Sequence, residues 1–223
     1  MIKTCNLCSF PIIRINNTNF GTRCIKCRST YAHRAIGLVI NSLNLNKGIK
    51  VHEFSNHGAF LRYLKNKFTN VTTSEFFDDT QSGDYKNGIL CQDLQNLTFK
   101  NESYDLLTST EVFEHVPDDT KGFKEIYRTL KSNGHFVFTV PINVNSNLTI
   151  ERAKIIDGKI NHILEPEYHG DHLRNKGILS FRIYGNDIKC KLLSIGFSKV
   201  EISGVLDEKH SIIPIMHIIH CIK

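Results

Sequence analysis

The chain has 223 residues, 40% of them hydrophobic and 22% charged. That balance excludes a disordered chain, and the length suits one α/β domain with a small appendage. With 28 basic and 22 acidic residues the net charge is +6, and no run of five Lys or Arg occurs, so nothing indicates a nucleic-acid tail. No stretch approaches the roughly 18 apolar residues of a membrane span, and the first residues lack the apolar core of a signal peptide. A cytoplasmic protein without a membrane partner is expected.

Residues 1–30 carry Cys5-x-x-Cys8 and Cys24-x-x-Cys27, separated by 15 residues. Two such knuckles offer four sulfurs to one tetrahedral ion, which predicts a zinc ribbon. Paired disulfides are the competing reading, disfavoured in a reducing compartment. Iron is the other metal such a set accepts, but no flanking redox motif accompanies it. Four thiolates leave no open position, so the zinc is structural. The ribbon either grips a macromolecule through Lys3, Arg14, Arg23, Lys26 and Arg28 or caps the neighbouring domain. Without an aromatic stacking cluster, capping is the favoured role. Cys91, Cys190 and Cys221 sit on apolar stretches and read as buried small hydrophobes.

Residues 31–48 form a linking helix, with Ala32, Ile36, Val39, Ile40 and Leu43 on one stripe. From residue 49 to 223 strands and helices alternate. Strands are expected at 49–55, 71–77, 89–94, 104–108 and through HFVFTVP to Pro141. Helices are expected at 59–68 and across Phe123, Ile126, Tyr127 and Leu130, the latter closed by Asn133-Gly134 as a C-cap. A helix at 185–195 and two strands, 198–205 and 213–222, finish the chain. The stretch 142–184 has no clear periodicity and exceeds an ordinary connection, which suggests a functional cover.

In an open α/β sheet, ligands bind beyond the C-terminal strand ends. Acids stand there in turn: Glu53, Glu75 and Asp93. The first two are 22 residues apart, near the spacing at which a carboxylate reaches a ribose diol. The first turn, EFSNHGAF, has only Gly58 where a dinucleotide fingerprint needs three glycines, which argues against a pyrophosphate cofactor.

The segment YDLLTSTEVFEHVPDDTKGFKEIYRTLKSNGHFVFTVP (104–141) resembles the fourth-strand region of class I S-adenosylmethionine-dependent methyltransferases. The likeness extends to a bacterial subset with an N-terminal four-cysteine ribbon, an S-E-[YF]-F stretch after the second strand and a Y-H-G-[DN] stretch further on. That subset is often linked to surface-polysaccharide synthesis. The resemblance implies a Rossmann-like seven-stranded sheet whose last two strands form an antiparallel edge hairpin. It implies that Glu53 and Gly58 form a degenerate first motif and that Glu75 accepts the ribose hydroxyls. Asp93 would meet the adenine amino group, Leu94 would pack on the ring, and Thr110 or Glu111 would line the methionine end.

Methyl transfer to a hydroxyl needs alignment and a base. The sequence offers His169 with Asp171 to orient it, and His115 as a rival; His172 reads as a surface histidine. Arg174 and Arg182 are suited to an anionic acceptor. His217 and His220 read as structural. The expected function is methyl transfer to a hydroxyl of a small or sugar-linked metabolite. The alternatives are a ribosomal-RNA methyltransferase and a non-catalytic binding protein that keeps the fold; nucleic acid is not favoured as a partner.

Overall fold

The computed structural model describes residues 2–16, 18, 21–171 and 173–223. Its centre is a six-stranded mixed sheet. In chain order the strands are β1 (Lys50–Glu53), β2 (Asn70–Thr73), β3 (Tyr104–Thr110), β4 (Leu130–Thr139), β5 (Lys199–Asp207) and β6 (Ile212–Ile222). Across the sheet they run β5-β6-β4-β3-β1-β2. β2, β1, β3 and β4 are mutually parallel, whereas β6 joins β4 antiparallel and β5 joins β6 antiparallel. The order reverses between β1 and β3, the place where ligands bind in folds of this kind.

Both faces are covered. Helices α1 (Tyr31–Ser42) and α2 (Gly58–Lys67) close one face, where Ile36, Ile40, Phe60 and Leu64 pack on Val51, Leu106, Val137 and Ile218. Helices α3 (Asp119–Thr129) and α4 (Asp187–Ile195) close the other, where Phe123, Ile126, Ile188 and Leu192 meet Leu107, Phe136 and Phe138. Leu106 and Leu107 face opposite sides, as the pleat requires. Each fully buried Phe or Leu stabilises the fold by roughly 1.5–3 kcal/mol.

The sheet departs from expectation at one edge. Residues 74–77 leave β2, and the expected strand at 89–94 does not join the sheet. Ile89–Leu90 pairs instead with Tyr85–Lys86 in a tight hairpin whose turn, Asn87-Gly88, has φ of 51° and 77°. Such a two-residue turn needs positive φ at both positions, which Asn-Gly supplies. The seventh strand is reduced to a single parallel bridge, Glu75 to Cys91. Asn133-Gly134 also falls elsewhere than expected. The helix stops at Thr129, and Asn133, with φ of 60°, lies inside β4. The left-handed residue that the Asn-Gly pair signals is present, but it lies in a strand.

The cover segment 142–184 is a set of short pairings: Ala153–Ile156 with Lys159–His162, Tyr168–His169 with Ile178–Leu179, and Ile150–Glu151 with Arg182–Ile183. Two- and four-residue strands leave no periodic trace. His220 bonds His135 across β6 and β4, Nε2 to Nδ1 at 2.9 Å. Cys91 and Cys221 are buried as expected, but Cys190 is exposed on α4.

At the N-terminus, Ile12–Arg14 pairs with Thr22–Cys24, and the four cysteines converge. Sγ separations are 3.7 Å for Cys5–Cys27 and 3.3 Å for Cys8–Cys24. Ligands 2.3 Å from a tetrahedral ion stand about 3.8 Å apart, so the sulfurs fit one ion better than covalent pairs. Arg34, fully buried, fastens this unit to the chain's end. It donates to Ser29 O (2.7 Å), Thr22 Oγ1 (2.8 Å), His210 O (2.7 Å) and Ser211 O (3.0 Å).

Candidate active site

A cavity of about 680 Å³ opens at the β1/β3 reversal. Its floor comes from successive strand ends: Phe54, Ser55 and His57 after β1, Ser74 to Phe76 after β2, Gln92 to Gln95, and Thr110 to Val112 at the end of β3. Ile155, Ile160, Gly170, Asp171, Arg174, Ile178, Leu179 and Phe181 of the cover segment form the opposite wall. The stretch that sequence left without structure is therefore one wall of the site.

The three acids of the strand ends are placed differently. Glu75 lines the cavity, and its Oε2 accepts from the Asn56 amide at 3.3 Å, with His57 Nδ1 at 3.7 Å. Asp93 also lines it, its carboxylate held by the Gln95 amide (2.9 Å) and side chain (3.2 and 3.3 Å). Leu94 is buried beside it. Glu53 instead lies under the floor, buried, with the Thr108 hydroxyl donating to it. Burial pushes its carboxyl up to about 8, the Thr108 bond opposing and the Glu75 charge assisting. Gly58 opens α2 with φ of +97°, a left-handed start that L side chains resist, and a Cβ there would meet nothing within 4 Å. It is the turn's shape, not crowding, that calls for glycine.

At the end of β3 the backbone turns left-handed at Glu111, φ 53°, while the Glu111 amide bonds the carbonyl (3.1 Å) and hydroxyl (3.2 Å) of Thr139. The turn brings the side chain to the cavity. Burial raises Glu111 to about 7, with the Glu114 charge adding to it and Thr139 and His169 opposing.

A one-turn 3-10 helix, Phe113–His115, then carries Glu114 and His115. His115 Nδ1 is 2.8 Å from Leu179 O, and its Nε2 is 3.5 Å from Glu114 Oε1. His169 reaches the same oxygen through Nδ1 at 3.5 Å and holds Glu167 through Nε2 at 3.2 Å. The two rings stand edge to face, 4.9 Å between centroids. Burial holds His115 below its ordinary range against the pull of Glu114, whereas the Glu114 contact raises His169.

Sequence brings His115, His169 and Asp171 forward as catalytic candidates, and all three lie in this region. Asp171, however, engages Arg174, which also binds Asp78 at 2.8 and 2.9 Å. Arg174 thus ties the cover to the loop after β2. Arg182 is not placed as an anion clamp. Its buried guanidinium donates to Phe113 O (3.2 Å), Val116 O (2.5 Å) and Pro117 O (2.6 Å), holding the turn that carries Glu114 and His115. His172 lies outside the described residues. Glu114 escaped sequence reasoning; its only signal is its place beside His115, three residues after Glu111.

The sheet order, the cavity at its reversal point and the acids beyond the strand ends define a doubly wound α/β architecture with its ligand site at the switch point. Residues 55–138 match the model of the methyltransferase domain family. Among solved structures, an S-adenosylmethionine-dependent methyltransferase from Mesorhizobium loti aligns with TM-score 0.56 and 16% identity over 85% of this chain and 98% of that one. A chain from the complex of the Haloferax volcanii Trm112 methyltransferase activator with a methyltransferase gives 0.55 and 14%, covering 86% and 89%. The Burkholderia thailandensis 1,6-didemethyltoxoflavin-N1-methyltransferase, solved with its substrate and S-adenosylhomocysteine, gives 0.51 and 14%, covering 86% and 78%. At such identities the likeness is one of fold. A search of curated proteins finds no match. Residues 55–138 thus carry a methyltransferase domain, and the fold around them is that of S-adenosylmethionine-dependent methyltransferases, which supports an enzyme of methyl transfer. Among the described residues, no helix is long and apolar enough to cross a membrane.

Proposed function

We propose that the cavity binds S-adenosylmethionine and that the acceptor is a hydroxyl on a small or sugar-linked metabolite. The observation that carries this reading is the placement of Glu75 and Asp93 on one wall of the cavity, opposite the cover segment. Glu75 is the acceptor for the ribose hydroxyls, Asp93 meets the adenine amino group, and Leu94 packs on the ring. Gly58 shapes the first turn and Glu53 supports it from beneath. Thr110 and Glu111 border the methionine end. When bound, the cofactor supplies an activated methyl: the acceptor oxygen forms the new C–O bond as the C–S bond breaks, giving S-adenosylhomocysteine, and the hydroxyl proton leaves.

The acceptor fits between the methionine end and His115, behind which His169 and Glu114 stand. His169 is held by Glu114 and Glu167. The cover segment narrows the entrance through the Arg174–Asp78 tie, which favours a small acceptor over a folded nucleic acid. The four cysteines hold a structural zinc ion, and residues 1–30 form a ribbon that caps the domain. The cytoplasm is the compartment that suits free thiolate ligands.

The reading is tested by incubating the zinc-loaded protein with methyl-labelled S-adenosylmethionine and a cell extract split into small molecules and RNA. Label in the small-molecule fraction, stable to ribonuclease, is expected. Label confined to RNA, falling steeply with salt, would transfer the protein to the nucleic-acid reading.

A further inference from the structure

The group formed by the cavity-lining His115 with Glu114 and His169 behind it has a charge pattern that methyl transfer alone does not explain. Glu114 is 0% exposed, and among the described residues neither of its carboxylate oxygens has a hydrogen-bond partner. A buried carboxyl group without such bonds is costly as an anion unless a cation or a proton meets it. Two imidazole nitrogens approach Oε1, each at 3.5 Å.

The far side of each ring fixes what those nitrogens present. Leu179 O, 2.8 Å from His115 Nδ1, can only accept, so Nδ1 carries the proton. A neutral His115 then points the lone pair of Nε2 at the Glu114 carboxylate. His169 repeats the arrangement, with Nε2 facing the Glu167 carboxylate at 3.2 Å and Nδ1 facing Glu114. A ring nitrogen held by a carbonyl or carboxylate while its other nitrogen turns inward is the supporting pattern of metal-bound histidine.

The donor atoms of Glu114, His115 and His169 all lie within 4.8 Å of one another. Ligands about 2.1 Å from a tetrahedral ion stand about 3.4 Å apart, close to the two 3.5 Å separations. His115 lines the cavity, as do the flanking residues Glu111, Gly170 and Asp171. Glu111 Oε1 is also buried without a partner among the described residues.

We propose that Glu114, His115 and His169 bind a divalent transition-metal ion that faces the cavity and takes a hydroxyl oxygen of the acceptor as a further ligand. Two imidazoles with a carboxylate suit manganese, iron, cobalt or zinc better than magnesium or calcium. Three protein ligands leave coordination positions open, so a polyol or sugar with neighbouring hydroxyls fits as a chelating acceptor. The metal lowers the pKa of the bound hydroxyl, and the proton passes to solvent without an imidazole base. This role for the acceptor rests on the proposed function; the metal site does not.

The test is a titration of the full chain, loaded with one equivalent of zinc so that the four thiolates take it and the Glu114 site stays open, with Mn²⁺ followed by the loss of the free-ion paramagnetic resonance signal. Manganese is chosen because four thiolates retain zinc against it. Calorimetric titration with S-adenosylhomocysteine is run on the same samples. One Mn²⁺ per chain is expected, with affinity reduced at least about 10-fold in both His169→Ala and Glu114→Gln. His169 is partly exposed, its side chain at 28%, so its variant is expected to fold, which its melting temperature checks. No binding at millimolar Mn²⁺, or binding that both variants retain in full, would overturn the proposal. Loss of S-adenosylhomocysteine binding would strike the cofactor reading alone.

Discussion

Glu53 and Thr108 are register partners on adjacent parallel strands, and the Thr108 hydroxyl donates to the Glu53 carboxylate beneath the cavity floor. Burial raises that carboxyl to about 8 from an ordinary 4.5. Its folded-state pKa thus lies above its unfolded one, so the folded chain holds a proton that the unfolded chain releases. Stability from this group is full below about 4.5 and is lost as pH rises towards about 8. Glu53→Gln removes the titration while preserving shape. Urea denaturation at pH 6 and pH 8 is expected to show a steeper loss of stability in the wild type than in the variant. Equal slopes would contradict the assignment.

Arg182 and Arg174, both offered by the sequence as anion binders, are expected to behave in opposite ways. Arg182 is buried and its loss strands the Phe113, Val116 and Pro117 carbonyls as well as Asp119. Arg182→Met should cost about 3 kcal/mol or more. Arg174 pairs with the exposed Asp78, and Arg174→Met should cost about 1 kcal/mol or less. It should also free the cover segment, seen as faster limited proteolysis within 142–184. Similar destabilisation by the two substitutions would refute this division.

Much of the frame was legible because its signals are local. The stripe Ala32, Ile36, Ile40 is buried as its spacing implies, and the run from Tyr104 to Thr139 forms the expected strand, helix and strand. The edge at Glu75 was not legible as drawn. Ile89–Leu90 had two partners available, and the Asn87-Gly88 turn decided for the nearer one. The site was legible by halves. Acids at strand ends follow from the sheet's polarity, so Glu75 and Asp93 could be placed from sequence. Glu114 could not, because its meaning depends on His169, which reaches it from 55 residues further along a segment without periodicity.

The ribbon's metal should matter beyond its own residues. Cys5, Cys24 and Cys27 pack against Ala59 in the first turn of α2, and Arg62 of that helix donates to Cys27 O at 2.7 Å. α2 begins at the turn that the cofactor reading assigns to the cavity. Stripping the metal with a strong chelator is expected to lower the melting temperature by more than about 5 °C and to weaken S-adenosylhomocysteine binding. Atomic emission should count at least one zinc per chain before treatment. Full retention of the melting temperature after complete metal removal would contradict a structural role.

The most direct test of the cofactor site is calorimetric titration of the zinc-loaded protein with S-adenosylmethionine and S-adenosylhomocysteine, wild type beside Glu75→Ala. The account predicts one site per chain with micromolar affinity in the wild type, on the order of 8 kcal/mol. It predicts at least about a 10-fold weakening in the variant, the loss of a charged acceptor for two hydroxyls. Absence of binding at millimolar ligand, or equal affinity in the two proteins, would contradict it.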